Sequence, residues 1–270
     1  MRIGSRDFAT TGHTYIMGIL NVTPDSFSDG GKFNQIDAAL KHAEEMIRDG
    51  ADVIDIGGES TRPWGYTKIS DEEEIDRVVP VIEAVKKEFE IPISVDTYKS
   101  GVAEAAAQAG VDLINDIWGL KYDARMAEVI AKSGLACCLM HNRDNAEYRN
   151  FMEDMKQDLR ETIALAKAAG IADDKIILDP GVGFAKSYEN NLEVIRRLKE
   201  FDELKYPVLL GTSRKSVIGL TLDLPAAERV EGTIVTTVMA VEAGCMFVRV
   251  HDVKENHRAI QMAEAILYRK

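Results

Sequence analysis

Residues 92–117 read PISVDTYKSGVAEAAAQAGVDLINDI, and this stretch decides the fold. PISV (92–95) is a short apolar run, Gly101–Ala109 has helical periodicity, Gly110 stops the helix, and DLIN (112–115) opens a second apolar run. Neither run alternates with polar residues, so each strand is buried on both faces. Parallel strands covered by helices have that property.

Working outward, the same unit recurs along the chain. YIMGIL (15–20), DVIDI (52–56), LACCLM (135–140), KIIL (175–178), PVLL (207–210) and MFVRV (246–250) bring the strands to eight. Helical periodicity runs over Ile36–Arg48, Asp71–Phe89, Ala124–Lys132, Phe151–Ala169, Asn190–Phe201, Ala226–Ala243 and Glu255–Tyr268. Gly50, Gly134, Gly170 and Gly244 repeat the stop seen at Gly110. Eight βα units in 270 residues predict a (β/α)8 TIM barrel, one domain over residues 1–270. An open doubly wound sheet is the alternative. The residues ahead of the first strand predict a small hairpin closing the barrel bottom.

Lys and Arg number 33 against 45 Asp and Glu, a net charge of −12. Such a surface argues against a general nucleic-acid or anionic-membrane binder, which carries a basic footprint. No apolar run is long enough to span a membrane. The opening MRIGSRDFATTG has no apolar signal segment. Cys137, Cys138 and Cys245 lack metal-site spacing, and the first two lie in an apolar run, so they read as buried structural thiols. These features together predict a cytoplasmic protein.

A barrel of this kind does its chemistry at the C-terminal ends of the strands. Those ends give Asn21, Asp55, then GGESTRPWG with Thr61 and Arg62, then Asp96, Asn115 with Asp116, and His141. Asp179 follows, leading into PGVGFAK with Phe184, then GTSRKS with Ser213, Arg214 and Lys215, and finally Arg249 and His251. Asp96, Asn115 and Asp179 place amide and carboxylate groups over the mouth, where a buried carboxylate needs a partner with donors to spare. The edge of a 2-amino-4-oxopyrimidine offers parallel N–H donors, much as an arginine fork does. Arg62, Arg214, Lys215, Arg249 and His251 concentrate positive charge on units two, seven and eight, and barrels commonly hold phosphate at the last two. The two sets together suggest a heterocycle held deep and a phosphate held at the rim.

Plainer readings stand beside these. Asp55 or Asp96 alone could cap or bridge helices, and Arg249 and His251 would be solvated charges if their shared strand face were exposed. DEEE (71–74) opens a helix, where acids suit the dipole. His13, His42 and His257 read as surface histidines. GVGFAK is an incomplete dinucleotide fingerprint. Met17, Met140 and Phe184 read as pocket lining or core. The first loop, Asn21 to Gln35, is long for a βα connection, has Pro24 and Gly30-Gly31, and reads as a lid or binding loop, with a disordered insertion as the alternative.

NVTPDSFSDGG, DIGGESTRP, SVDTYK, INDI, LDPGVGFAK, GTSRKS and RVHDV occur in this order, one after another on the expected strands. In this the chain resembles the dihydropteroate synthase family of folate biosynthesis, from about Tyr15 to Arg258. The resemblance implies condensation of a dihydropterin methyl diphosphate with 4-aminobenzoate, releasing pyrophosphate, with magnesium as cofactor and a homodimer as the assembly. It implies that Asn21 is the magnesium ligand and that Asp96, Asn115, Asp179 and Lys215 bind the pterin. Thr61 and Arg62 match positions near the diphosphate and aminobenzoate, Arg249 and His251 the diphosphate anchors, and Ser213 and Arg214 the aminobenzoate rim. Asp96, Lys215, Arg249 and His251 are the candidate catalytic residues, and Phe184 completes the substrate-binding set. Asp55 matches a pocket aspartate without a fixed role. Trp64 stands where the family usually has a small residue, and MHNR (140–143) replaces a glycine-containing stretch.

Other chemistries fit less well. A pterin-dependent methyltransferase needs no diphosphate anchors. A metal-dependent hydrolase wants an HxH pair where Asn21 stands. A Schiff-base aldolase could use Lys215 but would leave Asn21 and Asp179 unexplained. A pterin-binding paralogue without turnover would have lost the metal ligand or a loop motif, and Asn21 and STRP are both present.

Overall fold

The computed structural model describes residues 1–23, 32–60 and 68–268. Strands β1 (Arg2–Ile3) and β2 (Arg6–Asp7) form an antiparallel hairpin. Then follow β3 (Tyr15–Asn21), α1 (Lys32–Asp49), β4 (Val53–Gly57), α2 (Asp71–Glu88), β5 (Ile93–Asp96) and α3 (Ser100–Ala109). Next come β6 (Leu113–Asp116), α4 (Met126–Ser133), β7 (Ala136–Met140), α5 (Phe151–Ala168), β8 (Ile176–Asp179) and α6 (Tyr188–Arg196). The chain finishes with β9 (Leu209–Leu210), α7 (Ser216–Leu222), α8 (Val230–Ala243), β10 (Phe247–Val250) and α9 (Val253–Tyr268).

Strands β3 to β10 form one parallel sheet in the order β8-β7-β6-β5-β4-β3-β10-β9. A bridge between Leu178 and Val208 brings the two edges together, and the Leu178 N–H donates to the Pro207 carbonyl at 2.9 Å. The expected barrel is therefore present, and the doubly wound sheet is excluded. The five glycines expected to stop helices all take positive φ, from 66° at Gly134 to 109° at Gly50.

Three apolar layers hold the barrel. The outer strand faces pack against the helices around Ile54, Val95, Ile114 and Leu139. Inside, Met17, Val53, Leu113, Cys138, Ile177 and Phe247 fill the lower barrel, and Ile3 and Phe8 from the hairpin region pack against them. The hairpin thus closes the bottom, as expected. Above this plug lies a small third cluster of Tyr98, Ile117 and Met140, with Trp118 and Phe184 against it.

Several boundaries differ from expectation; helix α8, expected from Ala226, begins at Val230 after a 3-10 turn over Ala226–Glu228. Helix α1 begins at Lys32, so the first loop is shorter than the span from Asn21 to Gln35, because a first helical turn need not carry the apolar stripe. The segment Asn190–Phe201 divides into the end of α6 and a 3-10 helix over Leu198–Leu204. Helix α7 has no counterpart in the expected pattern, since it directly follows GTSRK and is too short to show periodicity. The lid reading of loops one and two falls on residues 24–31 and 61–67, outside the described residues.

Candidate active site

Strand alternation puts every second residue on the inside. Register pairs Asn21 with Gly57, Gly57 with Asp96, Asp96 with Asn115, Asn115 with Cys138, and Met140 with Asp179. The candidate side chains therefore share one mouth because their strands end at the same height.

Arg249 sits at the centre. Its Nε donates to Asp55 Oδ2 at 2.6 Å and its Nη2 to Asp96 Oδ2 at 2.7 Å. Burial opposes the guanidinium charge, and the Asp55 and Asp96 carboxylates more than offset it. Asn115 Nδ2 reaches the same Asp55 oxygen at 3.4 Å. Asp55 thus has a visible task, holding Arg249. Its Oδ1 is buried with no hydrogen-bond partner among the described residues, an acceptor for a ligand or solvent donor.

Asp179, at the end of β8, lies two strands along from Arg249. Its Oδ1 accepts from the Gly181 N–H at 2.7 Å. Burial raises its pKa, and the charge of Lys215 is the largest offset. A Cβ on Gly211 would stand 3.5 Å from Asp179 Oδ2 and 3.8 Å from Lys215 Nζ, so the missing side chain keeps the space beside both groups open. Lys215 Nζ donates to the Val182 carbonyl at 2.6 Å and lies 4.8 Å from the centre of the Phe184 ring. Burial pulls its pKa down to about 8, against the pull of Asp179. Phe184, against Lys215, and Met140, the register neighbour of Asp179, bring apolar surface beside this polar pair. A slot with apolar walls and a carboxylate, an amide and an ammonium at its edges suits a flat, polar-edged heterocycle.

The rim is built from β9 and β10. His251 Nδ1 and Ser213 Oγ are 2.9 Å apart, and the His251 N–H donates to the same hydroxyl at 3.1 Å. Arg214 grips the Asp252 carboxylate with Nε at 3.0 Å and Nη2 at 2.5 Å, so its charge is paired within the rim. Thr61 and Arg62 lie outside the described residues. Asn21, at the end of β3, is half-buried and makes no side-chain hydrogen bond among the described residues. No cluster of three or more His, Cys, Asp or Glu that could hold a metal is found among the described residues.

Two further acids near the mouth take structural tasks that their sequence context does not specify. Glu74, the last acid of DEEE, is buried and shares Lys99 with Glu59, each at 2.7 Å. The helix-dipole reading holds for the start of α2, where Ser70 Oγ caps the Glu73 N–H at 3.2 Å, but not for Glu74. Asp116 accepts from the Trp118 and Leu120 N–H groups at 2.8 and 2.7 Å, and burial pushes its pKa up to about 6. It shapes the fourth loop.

Fold and mouth define a class, a pterin-binding enzyme on a (β/α)8 barrel, and the family model described as pterin binding enzyme matches residues 17–251. The chain is 62% identical to a dihydropteroate synthase of Clostridium beijerinckii over the full length of both. A Clostridium difficile dihydropteroate synthase solved in the presence of pteroic acid superposes with TM-score 0.93 at 53% identity, covering 98% of this chain and 100% of that one. A Xanthomonas albilineans dihydropteroate synthase with 4-aminobenzoic acid gives TM-score 0.91 at 39% identity, with 96% and 94% coverage. The chain belongs to the dihydropteroate synthases.

Proposed function

We propose that this barrel, acting as one domain over residues 1–270, condenses a dihydropterin methyl diphosphate with 4-aminobenzoate to give dihydropteroate and pyrophosphate. The observation that carries the reading is the mouth itself: Asp179 and Lys215 flank an open Gly211 beside an apolar wall, with the paired Arg249 nearby. Asp179, Asn115, Asp96 and Lys215 hold the pterin edges, and Phe184 covers a ring face. Arg249 and His251 face the diphosphate, with Thr61 and Arg62 from the second loop. Ser213 and Arg214 form the rim where the aminobenzoate enters.

The chemistry is dissociative. The bond between the pterin methylene and the diphosphate oxygen breaks, and its electron pair leaves with the pyrophosphate. The pterin ring spreads the resulting positive charge, and the aromatic amine nitrogen then bonds to the methylene and sheds a proton to solvent. An aromatic amine is unprotonated at neutral pH, so no general base is required to activate it. The cations at the rim stabilise the charge that develops on the leaving group.

Magnesium suits the donor set at Asn21. The ion takes few protein ligands and prefers waters and phosphate oxygens, so one amide oxygen beside a diphosphate site fits it. Asn21 lies across Gly57 from Asp96: a Cβ there would be 3.6 Å from Asn21 Oδ1 and 3.6 Å from Asp96 Cβ. When bound, magnesium would supply charge neutralisation of the diphosphate. Pyrophosphate titrated into the wild type should bind more tightly with magnesium than without, and Asn21→Ala should lose that difference. An Asn21→Ala protein with the full magnesium effect would remove Asn21 from this role.

The assembly is a cytoplasmic homodimer. No helix among the described residues is long and apolar enough to cross a membrane. Helices α8 and α9 pack side by side, and the outer faces leave Val235 60% and Ile266 69% exposed, with Val238 and Met262 beside them. Exposed apolar side chains on two neighbouring helices suit a protein contact surface.

A further inference from the structure

The segment after β8 is held in an unusual backbone path. Gly181 and Gly183 take φ of 69° and 90°, and Ala185, which has a Cβ, takes 45°. Such strain persists only where the surroundings impose it. Three side chains hold this path: Asn191 Oδ1 accepts from the Gly183 N–H at 2.6 Å, the Tyr148 hydroxyl donates to the Ala185 carbonyl at 2.8 Å, and Lys186, half-buried at the barrel end, ties it at two carbonyls. Its Nζ donates to the Gly181 carbonyl at 2.9 Å, to the Phe184 carbonyl at 3.0 Å and to His141 Nδ1 at 3.0 Å. An ammonium has three donors, and all three are used.

We propose that Lys186 is a positioning residue for pterin binding, which sets the Gly181 N–H against Asp179 and the Phe184 ring against Lys215. This inference rests on the pterin reading of the mouth given above. Gly181 and Phe184 are the residues it ties down. The first donates the hydrogen bond that orients the Asp179 carboxylate, and the second forms the wall over Lys215. With both carbonyls pinned to one nitrogen, neither can move without breaking a hydrogen bond to it.

A relay fixes the nitrogen in turn. His141 accepts from Lys186 at Nδ1, so its Nε2 carries the hydrogen and donates to Asp158 at 2.9 Å. Arg143 Nε, from the MHNR segment, donates to the same Asp158 oxygen at 2.5 Å. Burial holds the His141 pKa down at about 4, so the ring stays neutral and keeps this tautomer. Asp179, Lys215, Asp158 and Arg143 are the charges that act on Lys186 in this arrangement, and burial lowers its own pKa to about 7.

The test uses Lys186→Met, which keeps the stem and removes the donors, and Lys186→Gln, which keeps two N–H donors without the charge. Affinities for 6-hydroxymethylpterin and for inorganic pyrophosphate are measured by calorimetry, with melting temperatures recorded. The expected result is a loss of about tenfold in pterin affinity for Lys186→Met, the scale of one well-made hydrogen bond, with pyrophosphate affinity kept and a smaller loss for Lys186→Gln. If the Met variant fails to fold, the Gln variant decides. Unchanged pterin affinity in a folded variant, or equal losses for both ligands, overturns the proposal. A wild type that binds no pterin would instead overturn the reading of the mouth.

Discussion

Asp179 and Arg249 present opposite problems at the scale of single residues. Asp179 is a buried carboxylate with one hydrogen bond in hand and room beside its other oxygen. Asp179→Asn would turn an acceptor into a donor facing the donors of a pterin edge. Calorimetry should show pterin binding weaker by about 1.5–3 kcal/mol, the scale of a hydrogen bond to a charged group; equal affinity in a folded variant would contradict the assignment. Arg249 is a cation spoken for by two carboxylates. Its replacement by alanine would leave Asp55 and Asp96 buried without their shared partner, at a cost of about 3–5 kcal/mol in unfolding free energy. Because Asp96 is also a pterin position, Arg249→Ala should weaken free pterin and pyrophosphate alike. Lys215→Ala should weaken the free pterin and spare pyrophosphate. Equal effects of the two variants on every ligand would contradict this division.

Between elements, buried ion pairs join segments far apart in sequence. Lys99 bridges Glu59 and Glu74 and donates to the Ile69 carbonyl at 2.8 Å, while Tyr98 OH donates to Glu59 at 2.6 Å. The two stems of the second loop, at Glu59 and Ile69, therefore meet on one ammonium. Lys99→Met strands two buried carboxylates, and denaturant unfolding should show about 3–5 kcal/mol lost. A loss below 1 kcal/mol, about what an exposed pair gives, would mean the triad is solvated in solution. His141 gives the fold a pH dependence with a definite sign. Its folded-state pKa is lowered to about 4 from 6.5, by burial first and then by Lys186. The unfolded chain takes up the proton first, so this stability is present above 6.5 and lost as pH falls towards 4. Unfolding midpoints across that window should report a loss of about 1–3 kcal/mol, absent in His141→Gln.

These elements also show where the sequence is legible. The strands, the glycine stops and the polar residues at strand ends could be read because burial on both faces and a left-handed helix stop leave local patterns. Helix α7 and the 3-10 turn after α6 are too short or too tight to leave one. Lys99 with Glu74, and Lys186 with His141, could not be paired in advance, because partners 25 and 45 residues apart meet only once the barrel closes. Arg249 is legible as a strand-end cation, but its grip on Asp55 and Asp96 depends on register between strands at opposite ends of the chain.

For the whole molecule, the apolar face of α8 and α9 predicts self-association. If the proposed homodimer forms through these residues, the wild type should sediment as a dimer and Val235→Glu with Ile266→Glu as a monomer, without loss of helical signal. A wild type that sediments as a monomer would contradict the dimer, and an unchanged coefficient in the variant would contradict this surface. The central claim is that one mouth holds a pterin and a diphosphate together and transfers the pterin to an aromatic amine. The most direct measurement supplies dihydropterin methyl diphosphate, 4-aminobenzoate and magnesium, and follows pyrophosphate and dihydropteroate together. The account predicts that the two products appear in equal amounts and that omitting either substrate abolishes dihydropteroate. Failure to form dihydropteroate with both substrates present would contradict it, whatever the barrel binds.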